Sequence, residues 1–83
     1  MTDDELRELV TTSLFSVAPD LEGEVVEPDA LFRDQFEIDS MDFLNFIIAL
    51  NKRTGVEIPE SDYMKLESLS GAVAYLRSKG FGS

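Results

Sequence analysis

Apolar residues recur three and four positions apart in three separate stretches of this 83-residue chain, and no other feature limits its fold so tightly. Leu6, Leu9, Val10, Leu14 and Val17 form the first stretch, with Ser13 filling one expected apolar position. Phe43, Phe46, Ile47 and Leu50 form the second, and Leu69, Ala72, Val73 and Leu76 the third. Side chains at this spacing share one face of an α-helix, and three such faces can bury themselves against each other. The chain is long enough for one hydrophobic core and too short for two, so a single domain over residues 1–83 is expected. The expected fold is all-α, a small four-helix bundle with three long helices and one short.

The ends of the helices are marked by their chemistry. Thr2 and Glu5 have the spacing of a capping box, and Ala18-Pro19-Asp20 closes a first helix of residues 3 to 17. Residues 18 to 38 then lack periodicity and form a long loop of about 20 residues, a length uncommon unless the loop has work to do. Its apolar anchors suggest a segment packed across the bundle, with one short turn near Asp29 to Phe32; a β-hairpin around Gly23 is the weaker alternative. Asp39 is placed to cap a helix that runs from Ser40 to about Arg53, with Asp42 in its first turn and Gly55 free to take a left-handed C-cap. Pro59 begins a short third helix through about Leu66, and Ser68 caps the last, which Lys79-Gly80 closes.

The chain contains neither cysteine nor histidine. Disulfides, Cys/His zinc sites and Ser-His or Cys-His nucleophilic pairs are therefore excluded, and no metal site is expected. Any reactive group must be supplied by something attached to the protein. The carboxylate pairs Asp3/Asp4 and Glu60/Asp62 read as solvated helix starts rather than acid-base catalysts, so no catalytic residue is assigned and no enzyme is expected. Seventeen acidic residues against seven basic ones give a formal charge of −10, which repels nucleic acid and anionic lipid and attracts basic protein surfaces. No apolar run approaches the roughly 20 residues of a membrane-spanning helix. With an acidic rather than basic N-terminus, a cytoplasmic monomer is expected.

On a helical wheel of residues 40 to 53, Phe43, Phe46, Ile47 and Leu50 occupy one side as a core stripe. Met41, Leu44 and Ile48 fall on a neighbouring side, beyond the angle where Ser40 and Asn51 lie. A bundle this small rarely surrounds a helix completely, so the second group is expected to stand exposed as an apolar ridge suited to docking a partner; the alternative is a central helix with both groups in the core. Phe32, Phe36, Phe43 and Phe46 are expected in the core.

The segment Glu37-Ile38-Asp39-Ser40-Met41-Asp42-Phe43 resembles the attachment motif of the acyl carrier protein family, Asp-Ser-Leu, with Met41 in place of the usual Leu. The order of a long helix, a long loop, the Asp-Ser helix, the Ile58-Pro59 link and a final helix is similar to that family from about residue 3 to 79. The resemblance implies that Ser40 accepts 4′-phosphopantetheine from coenzyme A through a phosphopantetheinyl transferase. The arm's thiol then holds acyl groups as thioesters for acyl-loading, acyl-transferring or condensing enzymes of fatty-acid, lipid or polyketide synthesis. It further implies that Asp39, Met41, Asp42, Leu44 and Ile48 meet these partners. The sequence departs from the family at Glu37, where a glycine is customary, and at Asn45, Asn51 and Lys52, where acidic residues are common, with Arg53 following them. A carrier of amino acids or peptides would use the same serine, and an unmodified acidic interaction domain would share the ridge and the charge.

Overall fold

The computed structural model describes residues 1–82. The first helix, α1 (Asp3–Val17), starts where its capping box places it. The Glu5 N–H donates to the Thr2 hydroxyl (3.2 Å), and the Thr2 N–H donates back to the Glu5 carboxylate (3.0 Å). That pair satisfies two amides the helix itself leaves without acceptors. These bonds from Thr2 hold the Glu5 carboxyl below its ordinary range. The serine in the apolar stripe is accounted for as well. Ser13 is fully buried and donates its hydroxyl to the Leu9 carbonyl at 2.8 Å, so no polar atom is stranded in the core.

The connection after α1 carries more structure than its sequence pattern suggests. Pro19–Leu21 forms one 3-10 turn, the turn expected near Asp29 is present at Pro28–Asp29, and a short α2 (Phe32–Gln35) follows it. Phe32 anchors α2 on the core: its ring is buried edge-on against Phe46, 5.4 Å between centroids. The hairpin considered around Gly23 does not form. Among the described residues there is no strand, only an isolated antiparallel bridge between Leu31 and Ser68. Around that bridge the connection is clasped to the last third of the chain. The Phe32 N–H donates to the Glu67 carbonyl (2.7 Å) and the Ser70 N–H to the Pro28 carbonyl (2.9 Å). The Ser70 hydroxyl lies 2.8 Å from that same carbonyl and 2.9 Å from Asp29 Oδ1.

Helix α3 (Ser40–Thr54) is capped at both ends as its sequence requires. Asp39 accepts the Asp42 N–H at 2.8 Å, and Gly55 closes the helix at φ 73°, a left-handed conformation that a Cβ would penalise. The short third helix is a 3-10 helix, Glu60–Leu66, with Pro59 as its extended N-cap rather than a member of its first turn. Ser68 then caps α4 (Leu69–Ser78) by accepting the Gly71 N–H at 3.1 Å. Gly71 is dictated by crowding, since a Cβ there would stand 2.5 Å from the Lys65 carbonyl oxygen. The 3-10 segment is thus packed directly against the start of α4.

The core gathers Leu6, Val10 and Leu14 of α1, Phe46, Ile47 and Leu50 of α3, and Leu69, Ala72, Val73, Tyr75 and Leu76 of α4 around Phe32 and Leu66. Phe36 and Phe43, expected inside, are half-buried and pack on its edge. The three long helices of the expected bundle are α1, α3 and α4. Among the described residues the short elements are three rather than one, because the connection supplies two of them.

Candidate functional site

Ser40 is the first residue of α3. Its neighbours hold its backbone firmly: Phe36 and Ile38 anchor the approach on the core, and the Asp39 side chain is committed to capping the helix. Ser40 itself faces solvent, and its hydroxyl has no hydrogen-bond partner among the described residues. A serine at a helix start commonly spends its oxygen on capping. Here Asp39 does that work, and the serine hydroxyl is left free.

The ridge expected from the helical wheel is present. Met41, Leu44 and Ile48 expose 64%, 38% and 44% of their surfaces, while Phe46, Ile47 and Leu50 on the other side of α3 are buried. Asp39 is exposed and Asp42 half-buried, so all five residues assigned to partner contact lie on or beside the exposed side of this one helix. Asn45, Asn51, Lys52 and Arg53 are exposed too. Asn51 has a local reason to be an amide: its Nδ2 donates to the Val56 carbonyl at 2.9 Å, tying the helix to the link beyond it. An ionised carboxylate has no proton to give at that position.

Beside Ser40 lies a cavity of about 490 Å³. Ile38, Phe43, Leu44 and Tyr63 give it apolar walls, and Arg33, Asp39, Glu60 and Glu67 place charges on it. Phe43 and Tyr63 meet edge-on at 6.2 Å between centroids, so this wall is built from α3 and the 3-10 segment together. Sequence reading missed Arg33, Glu60, Tyr63 and Glu67 as site residues. Glu60, Tyr63 and Glu67 lie 20 or more residues from Ser40 along the chain, Arg33 sits in the aperiodic connection, and the clasp at Leu31 and Ser68 that assembles the cavity has no sequence signature.

The 3-10 wall is held by its own polar contacts. The Tyr75 hydroxyl donates to Asp62 at 2.7 Å, and Lys65 lies 3.4 Å from the same carboxylate. The hydrogen bond from Tyr75 holds the Asp62 carboxyl below its ordinary range, and Lys65 adds to that. Burial, and then the bond to Asp62, push the Tyr75 hydroxyl up to about 12. Asp62 is therefore engaged in structure, and Asp3 is likewise engaged in an ion pair with Arg77. Among the described residues no cluster of carboxylates, histidines or cysteines could hold a metal ion, and no helix is long and apolar enough to cross a membrane.

The chemistry at Ser40 suits a phosphodiester-linked arm. The hydroxyl is free and exposed, its backbone is fixed, and the adjoining cavity has both apolar and cationic wall. Comparison with known proteins points the same way. Residues 4–76 match the family model described as a phosphopantetheine attachment site. An acyl carrier protein from Campylobacter hominis is 35% identical over 75 residues, covering 90% of this chain and 89% of the relative. One from Campylobacter fetus subsp. fetus is 36% identical over 73 residues, 88% of each chain. A third, from Lactobacillus johnsonii, is 28% identical over 78 residues, covering 94% and 96%.

Proposed function

Because the chain belongs to the acyl carrier protein family, whose members bear a phosphopantetheine attachment site, we propose that it is a carrier with Ser40 as its attachment point. Proteins of this family carry rather than catalyse. The observation that supports Ser40 most directly is its exposed, unengaged hydroxyl on a backbone fixed by the Asp39 cap. When bound, the arm supplies the thiol that a cysteine-free chain lacks, and a thiol can hold an acyl group in activated form. The protein's own residues do the rest. Asp39 and the packed Phe36 and Ile38 fix the backbone that carries the attachment oxygen, and the cavity walled by Phe43 and Tyr63 offers apolar shelter beside it. Met41, Leu44 and Ile48 present an apolar surface to the transferase and to the acyl-handling enzymes, with Asp39 and Asp42 drawing basic groups toward Ser40.

Intact mass after incubation with coenzyme A and a promiscuous phosphopantetheinyl transferase tests this reading. The chain is expected to gain one phosphopantetheine, and Ser40→Ala to gain none. If the wild type gains none under conditions that modify a control carrier, the protein is an unmodified interaction domain instead.

The stretch from residue 45 to 53 supports a narrower reading, a specialised carrier served by dedicated enzymes. Asn45, Asn51, Lys52 and Arg53 are all exposed, so the outer half of α3 offers no acidic strip to a basic partner. Each missing exposed ion pair weakens such a contact by about 0.2–1 kcal/mol. Turnover with a general fatty-acid acyltransferase and condensing enzyme is expected to fall well below that of a general carrier; equal turnover would rule out the specialisation. An acyl cargo accords with the names of the relatives, and an aminoacyl or peptidyl cargo would show itself in loading by an adenylating enzyme instead.

A further inference from the structure

Resting on the reading that Ser40 carries the arm, we propose that Arg33 holds the phosphate at the modified serine, its guanidinium pairing with the phosphodiester oxygens. Arg33 and Ser40 line the same cavity, and Arg33 is the one cation on its wall, against the three carboxylates of Asp39, Glu60 and Glu67. A phosphodiester at Ser40 adds a further negative charge to this already acidic rim. Arg33 is the group on the wall that offsets it.

Arg33 is also uncommitted. Lys65 is paired with Asp62 and Arg77 with Asp3, whereas Arg33 has no ion pair or hydrogen bond from its side chain among the described residues. Its backbone, by contrast, is held from both sides. The preceding residue, Phe32, is pinned by its bond to the Glu67 carbonyl and by its ring on Phe46. Two residues on, the Gln35 amide accepts the Glu27 N–H (2.8 Å) and donates to the Glu27 and Ala30 carbonyls (3.0 and 3.1 Å). The four-residue α2 is thus a fixed platform for an unpaired cationic side chain that lines the cavity. A planar guanidinium fork matches two phosphate oxygens, which an ammonium point charge does not. The cations on α3 do not line the cavity: Lys52 lies twelve residues beyond Ser40, about 18 Å along the helix.

The test uses the full chain, isotopically labelled and loaded from coenzyme A by a promiscuous transferase, as wild type, Arg33→Gln and Arg33→Lys. Intact mass is read first. If no form gains the arm, the reading of Ser40 fails and this proposal falls with it. With loading established, the Arg33 Nε–H resonance of the wild type is expected to shift between the unmodified and loaded forms. That shift should shrink severalfold in about 1 M salt, where the screening length is about 3 Å. The phosphorus resonance of loaded Arg33→Gln should be displaced and narrower than that of the wild type, with Arg33→Lys in between. Unchanged Phe32 and Gln35 amide resonances will show that α2 keeps its place in the variants; if they move, the wild-type Nε–H shift alone decides. A guanidinium resonance indifferent to loading, or a phosphorus signal the same in all three loaded proteins, would overturn the proposal and leave Arg33 as a solvated surface cation.

Discussion

Helices α1 and α3 are both 15 residues long and both begin at a side-chain cap, yet they treat water differently. On α1 every exposed side chain is polar, and each apolar one is buried or half-buried. On α3 the buried stripe is as complete, but Met41, Leu44 and Ile48 stand outside it. Folding alone explains α1 fully. It leaves the outer face of α3 unexplained, because a carboxylate or lysine at those positions would serve solubility better. The contrast separates a helix built for the core from one that must also meet something else.

The sharpest way to break this comparison is to remove one large side chain from each side of α3. Phe46→Ala is expected to cost about 3–5 kcal/mol of unfolding free energy, since its ring is fully buried against Phe32 and Phe43. Met41→Ala should stay within about 0.5 kcal/mol. Denaturant titration of both variants checks the pair, and a comparable loss from Met41→Ala would show that the ridge belongs to the core after all. A smaller effect tests whether the two helices start by equivalent means. Asp39→Ala and Thr2→Ala should each cost about 1 kcal/mol in the same titration. A much larger loss at Asp39 would mean that the cap also holds the loop entering α3.

The last prediction is confined to alkaline pH and to the wall that faces α3 across the cavity. The Tyr75 hydroxyl is raised to about 12 in the folded protein, from an ordinary value of 10.0. The unfolded chain therefore gives up this proton first, and stability falls with rising pH across that interval. Below pH 10 the contribution is fully present; above about 12 it is gone. Tyr75→Phe should remove this part of the alkaline decline, as thermal melts across pH 9 to 12 would register. An unaltered slope would mean that the bond to Asp62 does not hold the wall.

Much of this molecule is legible in the sequence where neighbours in the chain decide the outcome. The Thr2–Glu5 box, the Asp39 and Ser68 caps and the Gly55 terminus are set within a few residues, and each stands where its pattern placed it. The ridge was legible for the same reason, since a helix converts spacing directly into direction. The connection was legible in part: apolar anchors from it pack on the core and a turn stands at Asp29, but its short helix was not foreseen. That α2 is anchored at Phe32 by a ring on α3 and a carbonyl at Glu67, partners that spacing cannot name. The site divides along the same line. Ser40 and the residues of α3 could be read in order, whereas Arg33, Glu60, Tyr63 and Glu67 reach the cavity through tertiary contacts.

The clasp between residues 28–32 and 67–70 has a consequence for the order of assembly. Its two halves are separated by up to 42 residues, so closing it spends entropy that no short-range contact repays. Synthesis runs from the N-terminus, and a chain grown only to residue 60 already contains the whole of α1 and α3. It has Ser40 but not the far wall of the cavity. Ser40 therefore leaves the ribosome before the wall that faces it does, and the cavity beside it is completed only once Tyr63 and Glu67 have followed.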